Sequence, residues 1–242
     1  MNEQLLNLVR QLKAELEWAG RTGLVPRTPP RPKQSLEPEV LPDRIRLDRA
    51  PTLDVVREIL GDCSRCGLAT GRTQIVFGVG NPSADVMFVG EGPGAEEDRR
   101  GEPFVGKAGE LLTRIIERGM GMKRSEVYIA NIVKCRPPNN RDPEPVEVDA
   151  CVPFLSAQIR LVAPKVIVCL GKYASQTLLQ VKTPITRLRG QWSEFMNVPV
   201  MPTYHPAYLL RNPAEKRPVW EDIQAVLRHL GRLPKGQGGG ES

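Results

Sequence analysis

Apolar residues at Leu5, Leu8, Val9, Leu12 and Leu16 alternate with charged and amide positions, a spacing that predicts an amphipathic helix over residues 2–19. The next thirty residues are rich in proline, with Pro26, Pro29, Pro30, Pro32, Pro38 and Pro42. Proline removes a backbone donor and keeps its predecessor extended, so residues 20–51 read as a linker without a packed element. From Thr52 the pattern turns globular. It predicts helices over 53–60, 106–119 and 146–162, and apolar strands over 85–91, 127–133, 165–171 and 198–204. Strands alternating with helices predict a parallel sheet covered on both faces, because parallel strands need crossover connections. Such α/β sheets bind ligands beyond the carboxyl ends of their strands. Residues 52–233 therefore read as one domain, and the glycine-rich run 234–242 as a flexible tail.

Charge and cysteine content narrow the classes. The 242 residues carry a formal net charge of +6, which favours a polyanionic partner without proving one. No apolar run approaches the roughly 20 residues of a membrane span, and the N-terminus lacks the apolar core of an export signal, so a cytoplasmic protein without membrane contact is expected. Five cysteines in a reducing compartment point to metal ligation rather than disulfides. Cys63 and Cys66 form a C-x2-C pair, and Cys135 and Cys151 come later, with fifteen residues between them. A zinc site, an iron-sulfur site and unrelated buried thiols all remain open, although the second half does not repeat the pair as a zinc ribbon would. Cys169, inside an apolar strand, reads as a small buried residue.

Unusual residues gather at the expected strand ends. Gly-Glu-Gly-Pro-Gly at 90–94 is either a tight turn or a backbone that a flat ligand can approach; it matches neither a dinucleotide fingerprint nor a phosphate loop. Asn131 interrupts an apolar strand, where its amide must find partners or be destabilising by about 1–3 kcal/mol. His205 comes after a strand and precedes Pro206, placing an imidazole at the sheet edge. His229, beside Arg228, reads as a surface residue, and Phe104 as a core anchor or a stacking platform.

The runs GEGPGAEEDRRGEPFVGKAG, YIANIVKCRPPNNRDP, LGKYA and HPAYLLRNP occur in the order found in the family-4, iron-sulfur uracil-DNA glycosylases, and the resemblance covers about residues 60–228. It implies a three-layer α/β/α sandwich with a short central parallel sheet, and a monomer acting on uracil-containing DNA. The expected product is free uracil and an abasic site. It implies a 4Fe-4S cluster on Cys63, Cys66, Cys135 and Cys151, acting as a structural staple. Glu91, Gly92 and Pro93 would line the uracil and water site, Phe104 would stack on the base, Asn131 would read its edge, and His205 would contact uracil O2. Glu91 is the expected water-positioning residue, with Glu97 and Asp98 as rivals. Leu209 or Leu210 would fill the gap left by the flipped nucleotide, and Lys107, Lys172 and Arg211 would meet phosphates. Residues 1–19 would recruit a repair or replication protein. The alternatives are a uracil-DNA binder without turnover, which the absence of a histidine in RPPNNRDPEP disfavours, an electron carrier, which leaves Phe104, Asn131 and His205 without a joint purpose, and a homologous domain related to phage polymerase segments, with an unknown substrate.

Overall fold

The computed structural model describes residues 43–232 and, before them, Arg10, Lys13, Ala14 and Glu17, which are helical and exposed. The apolar stripe expected over 2–19, the linker up to Pro42 and the tail 234–242 lie outside the described residues. The linker expected over 20–51 nevertheless ends in a packed helix, α1 (Asp43–Arg49). Its Leu47, together with Ala50, is buried against Phe154 and α2 (Leu53–Leu60), and Arg160 donates to the carbonyls of Leu47 and Ala50 at 2.9 Å each. The prolines stop at Pro42 and resume at Pro51, so nothing between them prevents a helical turn.

The sheet has six strands: β1 (Val79–Gly80), β2 (Val86–Gly90), β3 (Tyr128–Asn131), β4 (Val166–Leu170), β5 (Ser193–Phe195) and β6 (Val198–Thr203). They lie in the order β1-β3-β2-β4-β6-β5. The four central strands are parallel, but β1 runs antiparallel to β3 and β5 antiparallel to β6, so the sheet is mixed rather than wholly parallel. Each edge has a local cause. Met196 and Asn197 both adopt left-handed φ of 53° and 61°, forming the tight turn that folds β5 back on β6. At the other edge a Cβ on Gly80 would lie 1.9 Å from the Val127 carbonyl oxygen, so only glycine lets β1 close on β3.

The crossovers are helical. Between β2 and β3 lie α3 (Ala95–Arg100) and α4 (Lys107–Arg114), the latter extended by a wider π-helical stretch, Ile115–Met120. Between β3 and β4 runs α5 (Pro145–Val162), and after β4 come α6 (Lys172–Leu179) and α7 (Ile185–Leu188). After β6 come α8 (Pro206–Arg211) and α9 (Lys216–His229). Every residue of β2, β3 and β4 is buried, as a sheet covered on both faces requires. Alternate side chains enter different cores: Phe88, Val166 and Val168 pack with Leu112, Ile116, Ile223 and Val226, whereas Met87, Val89, Ile167 and Cys169 pack with Leu155 and Ile159. The result is the three-layer α/β/α sandwich. Among the described residues no helix is long and apolar enough to cross a membrane.

Candidate active site

The carboxyl ends of β2, β3 and β6 open into a cavity of about 480 Å³, lined by Glu91, Gly92, Pro93, Phe104, Asn131 and His205 among others. All six positions expected from the sequence to form a site thus converge on one cavity. The register explains the meeting: Gly90 pairs with Asn131 across β2 and β3, and the pairing continues as Ile132 N–H donates to Gly90 O at 2.9 Å and Val133 N–H to Glu91 O at 3.1 Å. Gly90 is where the walls come closest. A Cβ there would lie 2.5 Å from Asn131 Oδ1 and 2.6 Å from the Phe104 ring.

Asn131 is 1% exposed, and its Oδ1 is the one buried side-chain polar atom among the described residues without a hydrogen-bond partner. An acceptor left unpaired in a buried position is destabilising by about 1–3 kcal/mol, and facing a cavity it is poised for a ligand donor. Phe104 forms the opposite wall, with its ring centroid 5.6 Å from that of His205. It holds a left-handed φ of 55°, unusual for an aromatic residue. The surroundings impose that conformation. Glu97 Oε1 accepts from Val105 N–H at 3.0 Å and Gly106 N–H at 3.1 Å, and Arg124 donates to the carbonyls of Pro103 at 2.7 Å and Phe104 at 3.0 Å. A Cβ on Gly109 would sit 1.9 Å from the Phe104 oxygen, so α4 can pass beneath this loop only with glycine there.

His205 caps α8. Its Nδ1 accepts the Ala207 N–H at 3.1 Å, so in the neutral ring the proton resides on Nε2. Burial, aided by nearby Arg211 and opposed by Glu97, lowers its pKa to about 4. Glu91 moves the other way: burial first, then the charge of Asp142, raises its carboxyl to about 7 against the opposing pull of Lys172.

The rivals of Glu91 are otherwise engaged. Glu97 lines the cavity but holds the Phe104 loop, and Asp98 is buried with its Oδ1 accepting from Thr73 N–H at 2.9 Å. Of the two leucines, Leu209 is 1% exposed within the core, whereas Leu210 is 43% exposed. Among the basic candidates Arg211 borders the cavity, while Lys107 and Lys172 are exposed outside its lining. His229 is exposed and packs on Trp192 with ring centroids 4.8 Å apart. Asn140, Arg141, Asp142 and Tyr208 also line the cavity, and sequence reasoning had missed all four. The first three come from a loop without periodicity, in which Asn139 and Asn140 take left-handed φ of 54° and 53°; consecutive asparagines, tolerant of that region, are the one signal the sequence offers for it.

A second cluster lies behind β3. Cys63, Cys135 and Cys151 are buried, Cys66 is half-buried, and none of the four is in a disulfide. Burial raises Cys135 to about 11, with Arg72 opposing and the charges of Cys151 and Cys66 adding; Cys151 is raised by burial and by Cys66 and Cys63, with Lys134 opposing. Cys135 and Cys151 therefore each lie within electrostatic reach of other cysteines of the set. Arg72 donates to Cys63 O at 2.5 Å and to Cys135 Sγ at 3.5 Å. Among the described residues no three His, Cys, Asp or Glu side chains are arranged to hold a single metal ion. Cys169 stands apart in β4, its thiol pushed far up by burial alone.

Comparison with known proteins agrees with this geometry. The family model for the uracil DNA glycosylase superfamily matches residues 77–224. A type-4 uracil-DNA glycosylase of Thermotoga maritima is 47% identical over 73% of this chain and 93% of its own length. Those of Archaeoglobus fulgidus and Sulfurisphaera tokodaii are 44% and 43% identical, over 74% and 76% of this chain and 92% and 87% of their own lengths. The chain therefore belongs to the type-4 uracil-DNA glycosylases of the uracil-DNA glycosylase superfamily.

Proposed function

We propose that this uracil-DNA glycosylase holds a flipped deoxyuridine in the cavity at the ends of β2, β3 and β6, where Asn131 reads the base and His205 and Glu91 divide the chemistry. The unpaired, buried Asn131 Oδ1 carries this reading. Uracil presents an N3–H donor beside the O4 acceptor, and an amide supplies the complementary acceptor and donor. Cytosine reverses both and would leave two unsatisfied groups. Phe104 stacks on the base, and Gly92 and Pro93 let the backbone approach it. Cleavage breaks C1′–N1 with the electron pair going to uracil N1. His205 Nε2–H donates to O2 as that anion forms. Water then adds to the oxocarbenium-like C1′, giving its proton to Glu91. Leu210 fills the gap in the duplex, and Arg211, Lys107 and Lys172 meet phosphates.

A carboxyl raised to about 7 must be deprotonated to accept that proton, so the rate should climb as pH rises through about 7. Release of uracil from a duplex carrying one deoxyuridine, measured in single turnover from about pH 5 to about 9, should show this limb, and Glu91→Gln should flatten it. A limb that survives in Glu91→Gln would remove Glu91 from the water-activating role. Tight binding without abasic product at any pH would favour the non-hydrolytic binder.

The four clustered cysteines would hold the 4Fe-4S cluster. Four cysteine sulfurs are the donor set an iron-sulfur cluster takes, and a polynuclear cluster spaces its ligands more widely than one ion does. When bound, the cluster staples the segment after α2 to the segment after β3 and to α5, away from the reacting atoms. Cys63→Ser is expected to lower iron content and thermal stability together; full iron content and an unchanged melting temperature would exclude Cys63 as a ligand. A cysteine-held cluster suits a reducing, cytoplasmic setting, and residues 1–19 are the candidate recruiting segment for a repair or replication partner.

A further inference from the structure

Lys134 stands out as a lysine 0% exposed, in the middle of the molecule. Its Nζ donates to the Asn131 backbone oxygen at 2.8 Å and to Gln158 Oε1 at 2.6 Å, so two neutral oxygens hold it rather than a carboxylate. Gln158 is equally buried and is itself fixed, its Nε2 donating to Phe77 O at 2.9 Å and Tyr128 Oη at 3.2 Å. The lysine main chain is tied as well: its carbonyl accepts Val76 N–H at 2.8 Å.

Burying a polar amine is costly unless it is hydrogen-bonded, and a lysine that only filled space would be better replaced by methionine or leucine. The geometry gives the amine a task. Asn131 is the last residue of β3, and its amide must sit still at the cavity wall with its own oxygen unpaired. The 2.8 Å bond from Nζ to the Asn131 carbonyl fixes the peptide on which that side chain stands. Gln158, on α5, fixes the amine in turn.

We infer that Lys134, braced by Gln158, is a positioning residue that sets Asn131 for uracil, so that base recognition depends on a pair of side chains that never touch the substrate. The inference rests on the reading of Asn131 above. It extends that reading to the far side of β3, where Lys134 adjoins Cys135 in the chain.

A double-mutant cycle tests it, using full-length, iron-loaded chain and single-turnover uracil release. Asn131→Ala, Lys134→Met, Gln158→Leu and both Asn131→Ala double variants would be compared, with iron content, melting temperature and affinity for abasic-site DNA measured alongside. Lys134→Met and Gln158→Leu are each expected to slow release by roughly tenfold while iron content and abasic-DNA affinity hold. Once Asn131 is alanine, each should slow release by less than about twofold, because the side chain they position is gone. Full, multiplicative losses in the Asn131→Ala background would overturn the proposal. So would losses that track iron content or melting temperature, or unchanged rates in Lys134→Met and Gln158→Leu. If neither single variant can be recovered folded, the pair is purely structural and the proposal also falls. An Asn131→Ala chain that keeps the full rate would instead overturn the underlying reading of Asn131.

Discussion

Replacing His205 with alanine should reduce single-turnover uracil release by roughly 10²–10³-fold while leaving DNA affinity nearly unchanged, the loss expected for one donor aimed at a developing anion. The cause is local. Nδ1 is occupied by the Ala207 N–H, so the neutral ring can offer only its Nε2 proton to the cavity. Burial holds the pKa at about 4, below its ordinary range, so the ring stays neutral throughout the working range and donates without first losing a proton to solvent. The direction of the shift also fixes the pH dependence. A catalytic imidazolium would lose activity as pH rose from about 5 to about 7, whereas the neutral donor contributes no such fall; the rising limb near 7 belongs to Glu91. A His205→Ala chain that releases uracil at the wild-type rate, or a wild-type rate that falls between about pH 5 and 7, would contradict the assignment.

Asn131→Ala should slow uracil release by roughly 10²-fold and narrow the preference for uracil over cytosine, since both polar groups on the base edge lose their partner at about 1–3 kcal/mol each. Its effect on the folded protein should run the other way. The Asn131 oxygen is buried and unpaired in the free protein, so removing it relieves a penalty that only substrate otherwise relieves. The denaturant midpoint of Asn131→Ala should therefore match or exceed that of the wild type. A lowered midpoint with undiminished discrimination against cytosine would mean that the amide serves the core rather than the substrate.

The substitutions with the largest expected effects fall on the residues most visible in the chain. Asn131 is conspicuous because a polar side chain breaks an apolar run, and His205 because an imidazole stands at the end of one. Apolar runs and helical spacing foretell β2, β3, β4 and α5 because each carries a signal that is local. Helix α1 is hidden by the prolines on either side of it, and the antiparallel edges by strands too short to show a period. Nothing local distinguishes Leu210, which is exposed, from Leu209, which is buried one residue earlier.

Glu97 and Asp98 sit side by side in a run of acidic residues that look interchangeable, yet their tasks differ. One holds the Phe104 loop and the other the chain at Thr73, while Glu91, its carboxyl raised to about 7, faces the cavity. Lys134 and Arg124 are, along the chain, two positive charges among many. The order of residues was enough to foretell the parallel centre of the sheet and, through motifs that resemble a family, that family and the six residues that line the cavity, since patterning and motifs are properties of neighbours. Which carboxylate is free, which leucine faces outward and what a buried lysine holds depend on contacts between segments far apart in sequence. Those contacts exist only once β2, β3, α5 and α8 are packed, because burial and hydrogen-bond partnership belong to the assembled core and to no segment alone.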